Sequence, residues 1–151
     1  MKRIAVVLAF GLIGCPEPSK QGQYDQIASS IQYLHTWDPA REAEGQFAYD
    51  AAMGSDDHIL YSLVGRLTDE TPTAIHDRIS GRTVVVGDVA FLLLLKRMGK
   101  KWEDFSEDGV FMSKLLPNPV FGLKWDPGAR GRVKARFIPM LPTIEEIEEG
   151  K

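Results

Sequence analysis

Apolar residues recur at helical spacing over most of the chain. Tyr24, Ile27, Ala28, Ile31 and Leu34 lie three or four positions apart and predict an amphipathic helix over residues 24–35. Ala40, Ala43, Phe47 and Ala51 form the next stripe. It follows Asp38-Pro39, where Asp38 suits the N-cap and Pro39 loses no useful donor at the first helical position. Gly54 is a natural stop. Ser55 then caps a third helix, Asp56 and Asp57 suit its first turn, and Ile59, Leu60, Leu63, Val64 and Leu67 give it the clearest apolar face in the chain.

Residues 69–82 contain Pro72 and Gly81 and read as a loop, and Val84-Val85-Val86 suits a short strand or the entry to the next helix. Residues 89–98 are apolar on all sides around Phe91-Leu92-Leu93-Leu94-Leu95, the pattern of a central buried helix. Lys96, Arg97 and Gly99 mark its end. Trp102 and Phe105 are expected to cover that end of the core. Residues 109–116 predict a short helix broken by Pro117 and Pro119. Trp125-Asp126-Pro127 echoes Trp37-Asp38-Pro39, an echo that N-cap chemistry alone can produce. A last helix over 127–137 puts Ala129, Val133 and Phe137 on one face, weakened by Gly128 and Gly131. Residues 142–151 are an acidic tail, expected to be solvated or frayed. The fold class expected is mainly α, a small irregular multi-helix domain over residues 24–141. Leu-Val-Gly-Arg-Leu-Thr-Asp-Glu-Thr-Pro at 63–72 resembles the second helix and turn of a HEAT-type helical hairpin. Confined to residues 39–72, that resemblance implies an α-solenoid fragment or an irregular helical domain.

The amino-terminal pattern differs from the rest. Lys2 and Arg3 precede ten residues, 4–13, that are almost wholly apolar, and Gly14-Cys15 follows. A basic start, a short apolar run and a small-residue processing site are the parts of a secretory signal. Ten residues are too few to span a bilayer, which takes about 20. Leu12-Ile13-Gly14-Cys15 resembles the lipobox of bacterial lipoproteins, with Ile13 a less common choice at its position. The resemblance implies cleavage after Gly14, acylation of the Cys15 thiol and of the new amino terminus, and membrane attachment through lipid. Residues 15–23 then form a lipidated tether whose Pro-Glu-Pro-Ser-Lys-Gln-Gly-Gln composition is expected to stay extended. Pro16 is not the Asp of an inner-membrane retention signal, so the resemblance favours the outer membrane, on its periplasmic face.

Removing residues 1–14 leaves 137 of the 151 residues, enough for one core. Lys2 and Arg3 leave with the signal, so 16 basic residues face 21 acidic ones, a net charge of −5. That balance gives no reason to expect nucleic acid. Cys15 is the only cysteine, so once it is acylated no thiol remains for a disulfide and stability must come from packing.

Candidate chemistry is sparse. His76-Asp77 resembles the His-Asp dyad of helical metal-dependent phosphohydrolases. The resemblance implies a metal that activates water, with His58 or His35 as the upstream ligand and Asp88 or Asp104 as the later one. The spacing departs from that family, and the dyad falls in a predicted loop where the family has a helix. Asp56 and Asp57, being adjacent, point about 100° apart on a helix and cannot face one another. Ser62 has no matching base nearby in sequence. No Gly-rich phosphate loop, zinc motif or Gly-x-Ser-x-Gly elbow is present, and no cofactor is implied.

The sharpest charge feature is Arg130, Arg132, Lys134 and Arg136, two i, i+4 rows beside the Val133/Phe137 stripe and close to Trp125. Such a surface suits an anionic lipid, a glycan or an acidic protein. The plainer expectation is a solvated face, or pairing with the glutamates of residues 145–149. The function expected is that of a lipid-anchored cell-envelope protein of binding or structural type, presenting its domain to a periplasmic protein or glycan. The alternative is a metal-dependent hydrolase using His58, His76 and Asp77.

Overall fold

Capping and tertiary packing set the helix boundaries in the computed structural model, which describes residues 19–33, 39–54, 57–76, 81–113 and 119–150. Cys15, His35, Trp37, Asp38, Ser55, Asp56 and Asp77 lie outside the described residues. Helix α1 (Lys20–Ser30) begins four residues before the predicted boundary, because the Ser19 hydroxyl accepts the Gly22 amide at 3.1 Å. Residues 20–23, expected as extended tether, are therefore its first turn. A 3-10 turn, Ile31–Tyr33, follows it. Helix α2 (Pro39–Gly54) starts on the predicted proline and stops on the predicted glycine. Helix α3 (His58–Arg66) buries the predicted face of Ile59, Leu60, Leu63 and Val64. Asp57 makes no side-chain cap there; its carboxylate pairs with Arg97 at 2.9 Å instead.

Two stretches differ from the sequence expectation. Within residues 69–82, strand β1 (Pro72–His76) pairs antiparallel with β2 (Thr83–Val85), His76 opposite Thr83 and Pro72 opposite Val85. Thr73 and Ile75 turn inward while Pro72, Ala74 and His76 face out, the alternation of a half-buried strand. Pro72 begins the strand, where a proline costs no ladder bond. Within residues 109–116, no helix forms at the start. A 3-10 helix, Trp102–Asp108, ends on Gly109 at φ +88°, and strand β3 (Val110–Met112) pairs with β4 (Leu123–Trp125). The four-residue helix α5 (Pro119–Gly122) lies between them.

Helix α4 (Val86–Arg97) is the centre, buried at Val86–Phe91 and Leu93–Leu95. Phe91 meets the rings of Phe105, Trp125 and Phe137 edge-on, with centroids 5.6, 4.9 and 6.3 Å away. Helix α6 (Ala129–Phe137) closes this cluster with fully buried Ala129, Val133 and Phe137, the face its spacing predicts. Such aromatic pairs add about 1 kcal/mol beyond area burial.

The domain is mainly helical, a small irregular multi-helix fold with two two-stranded sheets among the described residues. Helix α3 packs on α1 and α4, and α2 on α1 and its 3-10 turn, so α2 and α3 meet little as a pair. The tail, expected to be solvated or frayed, is largely exposed but ordered as helix α7 (Ile144–Glu148). Thr143 Oγ1 accepts the Glu146 amide at 3.2 Å, and the Glu146 carboxylate accepts the Thr143 amide at 2.7 Å, a reciprocal capping box. Among the described residues no helix is long and apolar enough to cross a membrane.

Candidate functional site

Gly128, at φ +74°, turns the chain from β4 into α6 and sets the direction of its basic side chains. Arg130 points at the start of α4. Its Nη2 donates to Asp88 Oδ1 at 2.5 Å, its Nη1 donates to the Leu67 carbonyl at 3.2 Å, and its guanidinium lies 4.5 Å from the Trp125 ring centre. Arg136 Nη1 donates to Asp108 Oδ2 at 2.6 Å, with the guanidinium over the Phe105 ring. Arg132 Nε donates to the Asp108 carbonyl at 3.1 Å and Nη1 to the Pro127 carbonyl at 3.3 Å. The partners are thus Asp88, Asp108 and main-chain carbonyls, not the glutamates of residues 145–149. Lys134, half-buried, has no ion pair among the described residues.

Asp88 is the hub that sequence reading missed as such. It is the third residue of α4 and is 1% exposed. Oδ1 accepts Trp125 Nε1–H at 2.8 Å and the Arg130 bond, while Oδ2 accepts Arg82 Nη2 at 3.2 Å and the Val85 amide at 3.3 Å. Arg82 also donates to the carbonyls of Phe121 and Leu123. Each carboxylate oxygen therefore has two donors. A buried charge persists only when paired and hydrogen-bonded in this way. Gly87 makes the approach of Arg130 possible, since a Cβ there would stand 2.5 Å from the Leu67 carbonyl oxygen and against the Arg130 guanidinium. A glycine-aspartate pair opening a buried helix was the available signal.

Beside this knot lies an open groove of about 440 Å³, lined among others by Thr68, Glu70, Trp125, Asp126 and Arg130. It carries both signs of charge, so it does not present a row of free cations. At its border, Asp69 is shaped by opposing effects. Burial pushes its carboxyl upward, but hydrogen bonds from Thr71 and Arg66 outweigh burial and hold it below its ordinary 3.8.

The other sequence candidates lie apart. His58 is buried on α3 with its ring stacked 5.9 Å from that of Tyr24. His76 is exposed on β1, and its Nδ1 is hydrogen-bonded to Thr83 Oγ1 at 3.1 Å. Asp104, the later-ligand alternative to Asp88, accepts the Lys101 amide at 3.0 Å. Among the described residues no three His, Cys, Asp or Glu side chains gather as a metal-binding group. Ser62 does have a partner that sequence distance concealed. Its hydroxyl donates to Asp25 Oδ1 at 2.6 Å and accepts Gln21 Nε2–H at 2.7 Å, which fastens α1 to α3.

Comparison of the chain with protein-family models, curated proteins and solved structures finds no match.

Proposed function

We propose that this chain is a lipid-anchored protein of the bacterial cell envelope, of binding or structural type, presenting its helical domain to a periplasmic protein or glycan. The lipobox-like Leu12-Ile13-Gly14-Cys15 supports the anchor. The observation that carries the reading further is the start of α1 at Lys20, with Ser62, Asp25 and Gln21 clamping that helix to the core. Only four peptide units separate Cys15 from Ser19, a reach of at most about 14 Å. An acylated Cys15 therefore holds a folded domain, not a long leash, at the membrane surface. Two or three acyl chains at about 0.8 kcal/mol per buried CH₂ make that attachment stable.

In this reading the partner meets the periplasmic faces of the domain. Arg130 and Arg136 build those faces from within, and Lys134 and the outer side of Arg132 offer positive charge. The test is Cys15→Ser in the full chain, read by incorporation of labelled palmitate and by membrane fractionation. Loss of both is expected, and persistent tight membrane association of the unacylated variant would overturn the anchor. For the hydrolase reading, metal analysis of the purified chain is the deciding measurement, and a stoichiometric bound ion would favour it.

A further inference from the structure

The groove beside the Asp88 knot has two walls. One is the turn after α3, with Thr68 and Glu70, and the other is the junction of β4 and α6, with Trp125, Asp126 and Arg130. Both are held from within. The Arg130 bond to the Leu67 carbonyl ties one wall to the other, and Asp69 fixes the turn through Thr71 and Arg66. The volume, about 440 Å³, falls in the range of about 300–1,000 Å³ that ligand pockets occupy.

The side chains that line it are of two kinds. Trp125 is half-buried, and three contacts fix its indole. Nε1–H donates to Asp88, the Arg130 guanidinium lies 4.5 Å from the ring centre, and Phe91 meets the ring edge-on. A ligand that packs on this ring finds it already oriented and orders no further rotamer. Thr68, Glu70 and Asp126 are exposed, and their side chains make no hydrogen bond or ion pair among the described residues. Two of the three are carboxylates, which when ionised only accept.

Charge decides what they accept. Arg130 shares the groove with Glu70 and Asp126, so a ligand of either net charge meets a side chain of its own sign. A neutral ligand escapes that penalty. It needs an apolar face for the indole and several hydroxyl donors around its edge for the carboxylates and Thr68. A pyranose ring has both, C–H bonds on its face and hydroxyls at its rim. A nucleobase also stacks, but it brings few donors, all of them in the ring plane.

We infer that this groove binds a neutral pyranose unit of a glycan, its C–H face on Trp125 and its hydroxyls donating to Glu70 and Asp126. The inference rests on the reading of a binding protein given above and names the glycan as its partner, but it does not depend on acylation of Cys15. The Asp88 knot then has a task besides stability, since it holds the indole as a preformed platform.

The test is saturation-transfer NMR on the full chain, purified in a detergent without sugar headgroups, with chitotetraose and maltotetraose as probes. Saturable binding of at least one is expected, with a dissociation constant of about 1 mM and the strongest transfer to ring C–H protons of the sugar. The two probes separate N-acetylated amino sugars from plain hexoses. Glu70→Gln and Asp126→Asn should each weaken binding about tenfold, the loss of one hydrogen bond to a charged group. Trp125→Ala also strips a donor from Asp88 and endangers the fold, so the two carboxylate variants carry the test, with circular dichroism to confirm that they fold. No saturable binding of either sugar, binding that both variants leave unchanged, or equal transfer to a nucleoside or to tetramethylammonium would overturn the inference. Palmitate labelling reads the anchor separately, so a failed titration leaves the lipid-anchored reading in place with a protein as the partner.

Discussion

Gly87 and Gly65 are both helical glycines, yet the structure assigns opposite signs to their replacement by alanine. At Gly87 a Cβ would lie 2.5 Å from the Leu67 carbonyl oxygen and 3.1 Å from the Asp69 carbonyl oxygen, both backbone atoms, and against the Arg130 guanidinium. Backbone cannot swing aside as a side chain can, so the start of α4 must move away from residues 67–69. That movement stretches two main-chain bonds, from the Gly87 amide to Asp69 and from the Val86 amide to Thr71, each 2.9 Å long. Overpacking of this kind costs about 1–3 kcal/mol. A weakened hydrogen bond adds about 1 kcal/mol. Alanine returns up to about 1 kcal/mol of helix propensity. The net loss is therefore roughly 1–3 kcal/mol, or about 3–10 °C in Tm for a domain of this size. At Gly65 a Cβ meets nothing within 4 Å. There only the propensity gain remains, and Tm should rise by about 2–4 °C. Thermal unfolding of both variants beside the unaltered protein is the assay. A neutral or stabilising Gly87→Ala would refute the close approach at the start of α4.

Three further outcomes follow from the same geometry. Asp88→Ala strips the shared acceptor from Arg82, Arg130 and Trp125 and should cost about 3–5 kcal/mol in urea unfolding, the range for breaking a buried ion pair. Asp69, whose folded pKa lies below its ordinary value, stabilises the fold above about pH 4. That contribution disappears as the pH falls through the folded value, so Asp69→Asn should be less stable than the unaltered chain at pH 6 and differ less from it at pH 2. Thr143→Ala removes half of the α7 capping box, at about 1 kcal/mol. Hydrogen exchange should then accelerate over residues 144–150 and leave α4 unchanged.

The helices were legible where one face is apolar over three turns, except at α2, where Ala48 and Ala52 are buried while the predicted stripe leaves Ala43 and Phe47 exposed and Ala51 half-buried. Ile59 to Leu67 and Ala129 to Phe137 carry their burial in their spacing, and Phe91 to Leu95 carries it in an unbroken run. The short strands were not. Val110–Met112 is three residues long, too short for alternation to separate it from a helix, and only the pairing with Leu123–Trp125 makes it a strand. In β1 the alternation was present, but Pro72 and Gly81 drew the eye to a loop. The α7 capping box was written as Thr143-Ile144-Glu145-Glu146 and was masked by the acidic composition around it. The arginines were visible as a row, whereas the carboxylates they pair with were 28 and 42 residues away in sequence, beyond any local rule.

The Asp88 knot also constrains the order of events during synthesis. The carboxylate and Arg82 leave the ribosome early, but Trp125 and Arg130 follow 37 and 42 residues later. Until they arrive, one of the two carboxylate oxygens lacks both of its side-chain donors, and α4 cannot be sealed from water without stranding a charge. A chain cut short before Arg130 therefore keeps its most apolar helix in an unfinished site. Such a fragment should be visible to chaperones and proteases until α6 is complete.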